Sequence, residues 1–382
     1  MPAVLYTLTS DLHKEAAIPA SQENFIRQIE AAMGERFIFR GSDFSDYGRA
    51  GNPVIYVRTG GTEGLFKSLG LQGDVRLLAS GGSNSLAASM EILSYLRSQG
   101  RRGEILHGTP ARIAARISAP LEEAAPDASP FIGKLPPVDL GGIRLGVIGR
   151  PSDWLISSGV DYAKARSRLG VELVDIPIGE LLERLRHTDD LRSFKGSEAI
   201  YDALKDIVRE HGLYGLTIRC FDLLDAVHNT GCLALARLNA EGVPAACEGD
   251  VPALLSMAYL MKVKGRPGFQ CNLSRIDGDN LLFAHCTVPL TMAASYRYDT
   301  HFESGLGTAI KAQMPAGEVE IFKIAPDLEN FVLIPGRVVA NTDEKNLCRT
   351  QIVVNAPAAS GYFLTSPLAN HHVVSYVSAD SM

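Results

Sequence analysis

The sequence predicts an α/β protein: two parallel-sheet units followed by an antiparallel, barrel-like C-terminal region. Three observations carry this. Short apolar runs alternate with amphipathic helical segments through the first two-thirds of the chain, the pattern of a parallel sheet covered on both faces. Apolar runs end in glycine-rich turns, Thr59-Gly60-Gly61-Thr62-Glu63 and Ser80-Gly81-Gly82-Ser83-Asn84-Ser85, that lead into helices. After Gly265 the texture changes to short strands broken by Gly, Pro, Asp and Asn.

In order, Val4–Thr7 reads as a strand and Ser21 as the cap of a helix running to about Met33. Val54–Arg58 and Val75–Ala79 are apolar strands, Leu86–Gln99 is a helix stopped by Gly100, and Glu104–His107 is a strand followed by a helix capped by Thr109. The Pro-, Ala-, Asp- and Gly-rich stretch Leu121–Gly142 reads as a linker. A second unit follows, with strands Ile143–Ile148, Val171–Asp175, Leu216–Arg219 and Val243–Cys247. Its helices are Ile178–Arg186, Glu198–Glu210, Ala226–Asn239 and Val251–Lys264, the last with Pro252 in its first turn, where a missing N–H costs little. The third region has strands Phe269–Arg275, Leu281–Val288, Glu318–Ile324, Phe331–Val339 and Gln351–Val354, with Asp277-Gly278-Asp279-Asn280 as a hairpin turn. Expected domains are therefore residues 1–125, 141–264 and 265–382.

Composition narrows the function classes. The chain has 382 residues, 46% of them hydrophobic, enough for packed cores. With 37 basic against 43 acidic residues the net charge is −6, which argues against a nucleic-acid partner. No apolar run approaches the roughly 18 residues of a bilayer span, and the start of the sequence shows no basic leader, so no membrane partner and a cytoplasmic location are expected. The six cysteines form no Cys-x-x-Cys pair and read as buried thiols.

The chemistry concentrates at two strand ends. Asp222 closes Thr217–Asp222 and Glu248 lies in Ala245-Ala246-Cys247-Glu248-Gly249-Asp250, one strand–helix–strand unit apart. Ligands of open parallel sheets bind beyond the carboxyl ends of the strands, so the two acids can converge there. Each acid alone reads equally well as a helix cap, and capping is the expected role of Asp250. Late in the chain comes Asn370-His371-His372. Two carboxylates and an imidazole form a ligand set for an oxygen-preferring divalent metal, Mn2+ or another such as Mg2+ or Co2+. Adjacent histidines diverge, so at most one of His371 and His372 is a ligand. Glu63 and Asn84, in the glycine-rich turns, suit contacts to a polyhydroxy ligand, and Trp154 could pack on a sugar ring or in the core. His285, flanked by apolar residues, reads as a buried histidine or a substrate contact. Thr300-His301-Phe302-Glu303-Ser304-Gly305 reads as a loop bordering the site.

The Cys220-Phe221-Asp222 and Ala246-Cys247-Glu248-Gly249-Asp250 segments, with His285, His301-Phe302-Glu303 and Asn370-His371-His372 following in the same order, resemble the L-fucose/L-arabinose isomerase superfamily. The resemblance is clearest from about residue 214 onward. It implies two Rossmann-like domains, a C-terminal β-barrel domain, a Mn-type metal, a homo-oligomer and aldose–ketose isomerisation of a pentose or deoxyhexose-type sugar through a cis-enediol. Carried over, Asp222 and Glu248 are metal ligands doubling as acid and base, and His371, with His372 as the alternative, completes the set. The other histidine, with His285, then falls to the substrate. A non-catalytic sugar-binding protein and a metal-dependent epimerase or lyase are the competing expectations.

Overall fold

The computed structural model describes residues 2–10, 20–121 and 129–377. The first part contains β1 (Val4–Leu8), α1 (Ala20–Met33), β2 (Ile38–Gly41), β3 (Pro53–Val57), α2 (Glu63–Ser68), β4 (Val75–Ala79), α3 (Ser85–Ser98), β5 (Gly103–Leu106) and α4 (Pro110–Ser118). Its five strands form a parallel sheet in the order β2-β1-β3-β4-β5. Thr109 caps α4 as expected, accepting from the Arg112 N–H. The helix expected after Ser21 begins at Ala20, and the Ser21 side chain lies outside the described residues.

Part of the expected linker, residues 122–128, also lies outside the described residues. Its later part is not all linker, since β6 (Ile132–Lys134) pairs antiparallel with a strand of the third region. The next segment comprises β7 (Arg144–Ile148), α5 (Tyr162–Leu169), β8 (Glu172–Ile176), α6 (Ile178–Leu185), α7 (Phe194–Glu210), β9 (Gly215–Ile218), α8 (Asp222–Val227), α9 (Cys232–Ala240), β10 (Ala245–Ala246) and α10 (Val251–Lys264). Its sheet is parallel in the order β10-β9-β7-β8, so the direction of winding reverses beside β7. The single helix expected over Ala226–Asn239 is two. His228 turns left-handed at φ +52°, and the Asn229 side chain takes the Thr230 N–H, so the chain breaks before Cys232.

The remainder supplies β11 (Phe269–Asp277), β12 (Asn280–His285), β13 (Ser295–Asp299), β14 (Ala309–Gln313), β15 (Gly317–Ile324), β16 (Asn330–Asn341), β17 (Thr350–Asn355), α11 (Ala359–Thr365) and β18 (His372–Tyr376). Six of these strands close a barrel in the order β15-β18-β11-β12-β17-β16, with β16 returning to β15. All pairings are antiparallel, and Asp277-Gly278-Asp279-Asn280 makes the β11–β12 turn.

Two helices join the barrel to the sheets. α3 is buried along most of its length, and its leucines share one core with β3, β4 and barrel residues such as Phe269 and Leu273. α10 does the same between the second sheet and β15 and β18. Both helices are buried on all sides along most of their length, with a sheet on one face and the barrel on the other. Among the described residues no helix is long and apolar enough to cross a membrane.

Phe283 is fully buried in the barrel, edge-on to Phe363 with ring centroids 6.0 Å apart. Phe283→Ala should cost about 3–5 kcal/mol, read as a lower denaturant midpoint at unchanged slope. A loss below about 1 kcal/mol would show that the barrel core is not packed as described.

Candidate active site

Glu248 sits on a turn that several groups hold in place. The Gln270 side chain accepts from the Cys247 N–H at 2.7 Å and donates to the Cys247 carbonyl at 3.2 Å. The Glu248 carbonyl accepts from Ser152 Oγ, and the Gly249 N–H donates to the Ile218 carbonyl at 2.9 Å. Glu248 adopts φ +63°, a costly conformation for a residue with a Cβ. Gly249 follows at φ +62°, where a Cβ would lie 2.7 Å from the Arg150 carbonyl. The turn fixes the direction of the Glu248 carboxylate.

Asp250 does two jobs. One carboxylate oxygen caps α10 through the Ala253 N–H at 2.7 Å, and the other lies 2.9 Å from His371 Nδ1. His371 comes just before β18, fully buried, and its carbonyl accepts from the buried Lys323 ammonium at 2.7 Å. His285 ends β12, with Nδ1 2.9 Å from Thr287 Oγ1. Both rings therefore turn Nε2 towards Glu248 Oε1, at 3.4 Å for His371 and 3.5 Å for His285.

The ligand atoms of Glu248, His285 and His371 all lie within 4.8 Å of one another. Separations of 3.4 and 3.5 Å suit a common ion roughly 2.1 Å from each donor. With Nδ1–H given to Asp250, the His371 Nε2 is a lone pair, and it has no hydrogen-bond partner among the described residues. A lone pair facing a carboxylate calls for a cation between them, either a proton or a metal. The donor set fits a divalent ion, with Asp250 orienting the imidazole from behind as outer partners of metal ligands do.

Electrostatics agree. Burial alone would raise the Glu248 pKa, but the His371 and His285 rings overcome it and hold the carboxyl well below the usual range. Burial would lower the His371 pKa, yet Glu248 and Asp250 raise it to about 10, so without a metal His371 is an imidazolium at neutral pH.

The cluster borders a cavity of about 260 Å³, lined among others by Glu63, Asn84, Trp154, Asn272, His301, Glu303 and Asn370. Glu63 Oε2 and the side-chain oxygens of Asn84, Asn272 and Asn370 are buried acceptors with no partner among the described residues. Such groups are expensive unless a ligand brings donors, and a ring of acceptors asks for a ligand rich in O–H groups. Burial, together with the nearby Glu91 and Glu248 charges, raises the Glu63 pKa to about 8. Burial and Glu248 raise that of Glu303 to about 7 against a hydrogen bond from Asn84. A larger cleft of about 480 Å³ lies beside the ends of β4 and β5, but its Arg275 is spent on Glu344 at 2.6 Å.

The sequence-predicted residues divide as follows. Glu248 and His371 come together. His285, expected at the substrate, stands in the ligand cluster. Glu63, Asn84 and Trp154 line the cavity, and the Trp154 indole N–H reaches Glu248 Oε2 at 3.5 Å. Asp222 is a correction. It opens α8 and gives its carboxylate to Arg219 at 3.0 Å, a cation that also stacks on Trp154 at 4.6 Å, and it does not join the cluster. His372 is the second correction. It points to the opposite side of the chain from His371, bonded to Tyr362 Oη at 2.9 Å and packed on Phe363, away from the cavity. Asn272 and Asn370 were missed. For Asn370 the signal was its place beside His371. All six cysteines are buried and free, and five of them border the cavity.

No protein-family model matches the chain. It is similar to a sulfoquinovose isomerase of Alkalicoccus urumqiensis, 22% identical over 220 residues, which is 50% of each chain. It is also similar to a sulfoquinovose isomerase of Clostridium sp. (strain MSTE9), 28% identical over 172 residues, 42% of this chain and 38% of that protein. The matches thus span half or less of the curated relatives' length.

His371 has a folded pKa above its ordinary 6.5, so its stabilising effect is full below that value and drains as pH rises towards about 10. In metal-free protein, the stability gap between wild type and His371→Asn should therefore shrink as pH rises through this window, read by denaturant titration. A gap that stays constant or widens would contradict the buried pairing.

Proposed function

We propose that this chain is a divalent-metal-dependent aldose–ketose isomerase acting on a pentose, a deoxyhexose or a related sugar through a cis-enediol. The observation that carries the reading is the Glu248, His285 and His371 cluster beside a cavity ringed by unpartnered acceptors. The similarity to proteins named sulfoquinovose isomerase and the resemblance to L-fucose/L-arabinose isomerases support it. Glu248, His285 and His371 would hold Mn2+, or Mg2+ or Co2+ in its place. When bound, such an ion polarises a neighbouring carbonyl and hydroxyl and acidifies the C–H between them.

The chain's own residues do the rest. Asp250 keeps the proton of His371 on Nδ1 and so keeps Nε2 free to ligate. Thr287 can do the same for His285. The unpartnered oxygens of Asn84, Asn272 and Asn370 accept from sugar hydroxyls and orient the chain of carbons. Trp154, stiffened by Arg219 on its face, offers an aromatic wall. Most of these groups are buried and fixed before any ligand arrives, which lowers the cost of ordering them.

The test is a panel of aldoses, including sulfoquinovose, incubated with protein and Mn2+ and followed by NMR. The expected result is a ketose product from at least one sugar, lost on chelation and lost in Glu248→Gln. Sugar binding that survives chelation without turnover would favour a non-catalytic sensor, and an epimer or a cleaved product would favour the other metal-assisted reactions. Asp250→Asn should weaken metal affinity roughly 10- to 100-fold, measured by metal titration, while a change below about threefold would show that Asp250 serves only as the helix cap.

A further inference from the structure

Resting on the isomerase reading, we infer that Glu303 and Glu63, rather than a metal-holding carboxylate, carry the protons of the reaction. Glu248 faces two imidazoles and is committed to the ion, and Asp222 is held by Arg219. Among the described residues, Glu63 and Glu303 are the carboxylates that line the cavity besides Glu248.

They come from different parts of the fold. Glu63 opens α2 in the first sheet region, 2% exposed, with Oε2 buried and unpartnered. Glu303 sits in the loop between β13 and β14, and its Oε1 accepts from Asn84 Nδ2 at 3.0 Å. Asn84 itself is held left-handed at φ +57°, in a turn where Ser83 is left-handed too, and a Cβ at Gly60 would lie 2.8 Å from the Asn84 Cβ. A strained residue that aims its amide at a cavity carboxylate is a device for placing that carboxylate.

The two groups differ in a way that assigns their roles. Glu303 Oε1 accepts a side-chain hydrogen bond from Asn84, which favours its charged form, whereas Glu63 Oε2 is buried with no partner among the described residues, which favours the protonated form. That contrast assigns Glu303 as the base and Glu63 as the acid. The Glu303 carboxylate takes the proton from C2 of the open-chain aldose. The C2–H pair becomes the C1=C2 double bond, the carbonyl pair moves to O1, and O1 takes the proton of Glu63. The enediol then collapses: Glu63 takes the O2 proton, C2=O forms, and C1 receives the proton held by Glu303. Both carboxyl groups return to their starting states, and no outside oxidant or reductant is needed.

The experiment follows exchange at C2, counted as loss of deuterium from a C2-labelled sugar to solvent or to C1, with a sugar the wild-type protein binds, alongside metal content and sugar affinity. Glu303→Gln should lower exchange by about 10²- to 10⁴-fold while metal content and sugar affinity stay within about threefold. Glu303→Asp should recover part of the rate, and the variant's pH–rate profile should lose the limb set by Glu303. Glu63→Gln should slow ketose formation by a similar factor. Exchange in Glu303→Gln within about tenfold of wild type would overturn this proposal and leave the isomerase reading standing. A wild-type protein that binds sugars and metal yet releases no C2 deuterium, either to solvent or to C1, would overturn both.

Discussion

The buried hydrogen bond between Asp250 and His371 is the constraint on which the site depends. Neither side chain is exposed, and neither could be buried alone at acceptable cost. Asp250 is tied to α10 by its capping oxygen, and His371 to β15 through the Lys323 ammonium on its carbonyl. One contact therefore fixes the second sheet against the barrel and, in the same act, sets the tautomer of a metal-competent imidazole. Glu91 extends the arrangement to the first sheet. From α3 its carboxylate accepts from the Ser157 N–H at 2.6 Å and the Asn370 N–H at 2.8 Å, joining all three regions.

This arrangement explains why the site lies where three regions meet rather than in one sheet. Glu248 is delivered by a strand end of the second sheet, His285 and His371 by the barrel, and Glu63 and Asn84 by turns of the first. α3 and α10, buried along most of their length, hold that meeting together, because uncovering either helix would expose the apolar residues it places in the shared cores. Three left-handed non-glycine residues, Glu248, Ser83 and Asn84, lie at the same place. The packed helices around these turns oppose their relaxation, so the functional groups stay in position without a ligand.

Much of this could be read in the sequence, and the misses have physical causes. The alternation of strands and helices and the change after Gly265 gave the α/β regions and the barrel, because burial on one face or two leaves a period in the residues. Glu248 and His371 stand out in sequence because they fall at a strand end and in a short polar motif, and the structure brings them together. His285 reads as a core histidine because a side chain delivered into a site from a barrel wall is flanked by the same apolar residues as any core position. Asp222 misled because its strand-end position is right for a ligand. Arg219, three residues earlier, is what diverts it, and an i,i+3 ion pair of this kind gives no sign in sequence of whether it will outcompete a metal. The acceptor ring of Asn84, Asn272 and Asn370 brings together residues almost 300 positions apart, and no local pattern records it.

The proposed centre depends on which side chains would surround a divalent ion. Anomalous diffraction from crystals soaked in Mn2+ would measure this directly. The predicted result is one strong peak bonded to Glu248, His285 Nε2 and His371 Nε2, with Asp222 still paired to Arg219. A peak bonded to Asp222 with His285 outside the shell, or no peak at Glu248 under saturating metal, would contradict it.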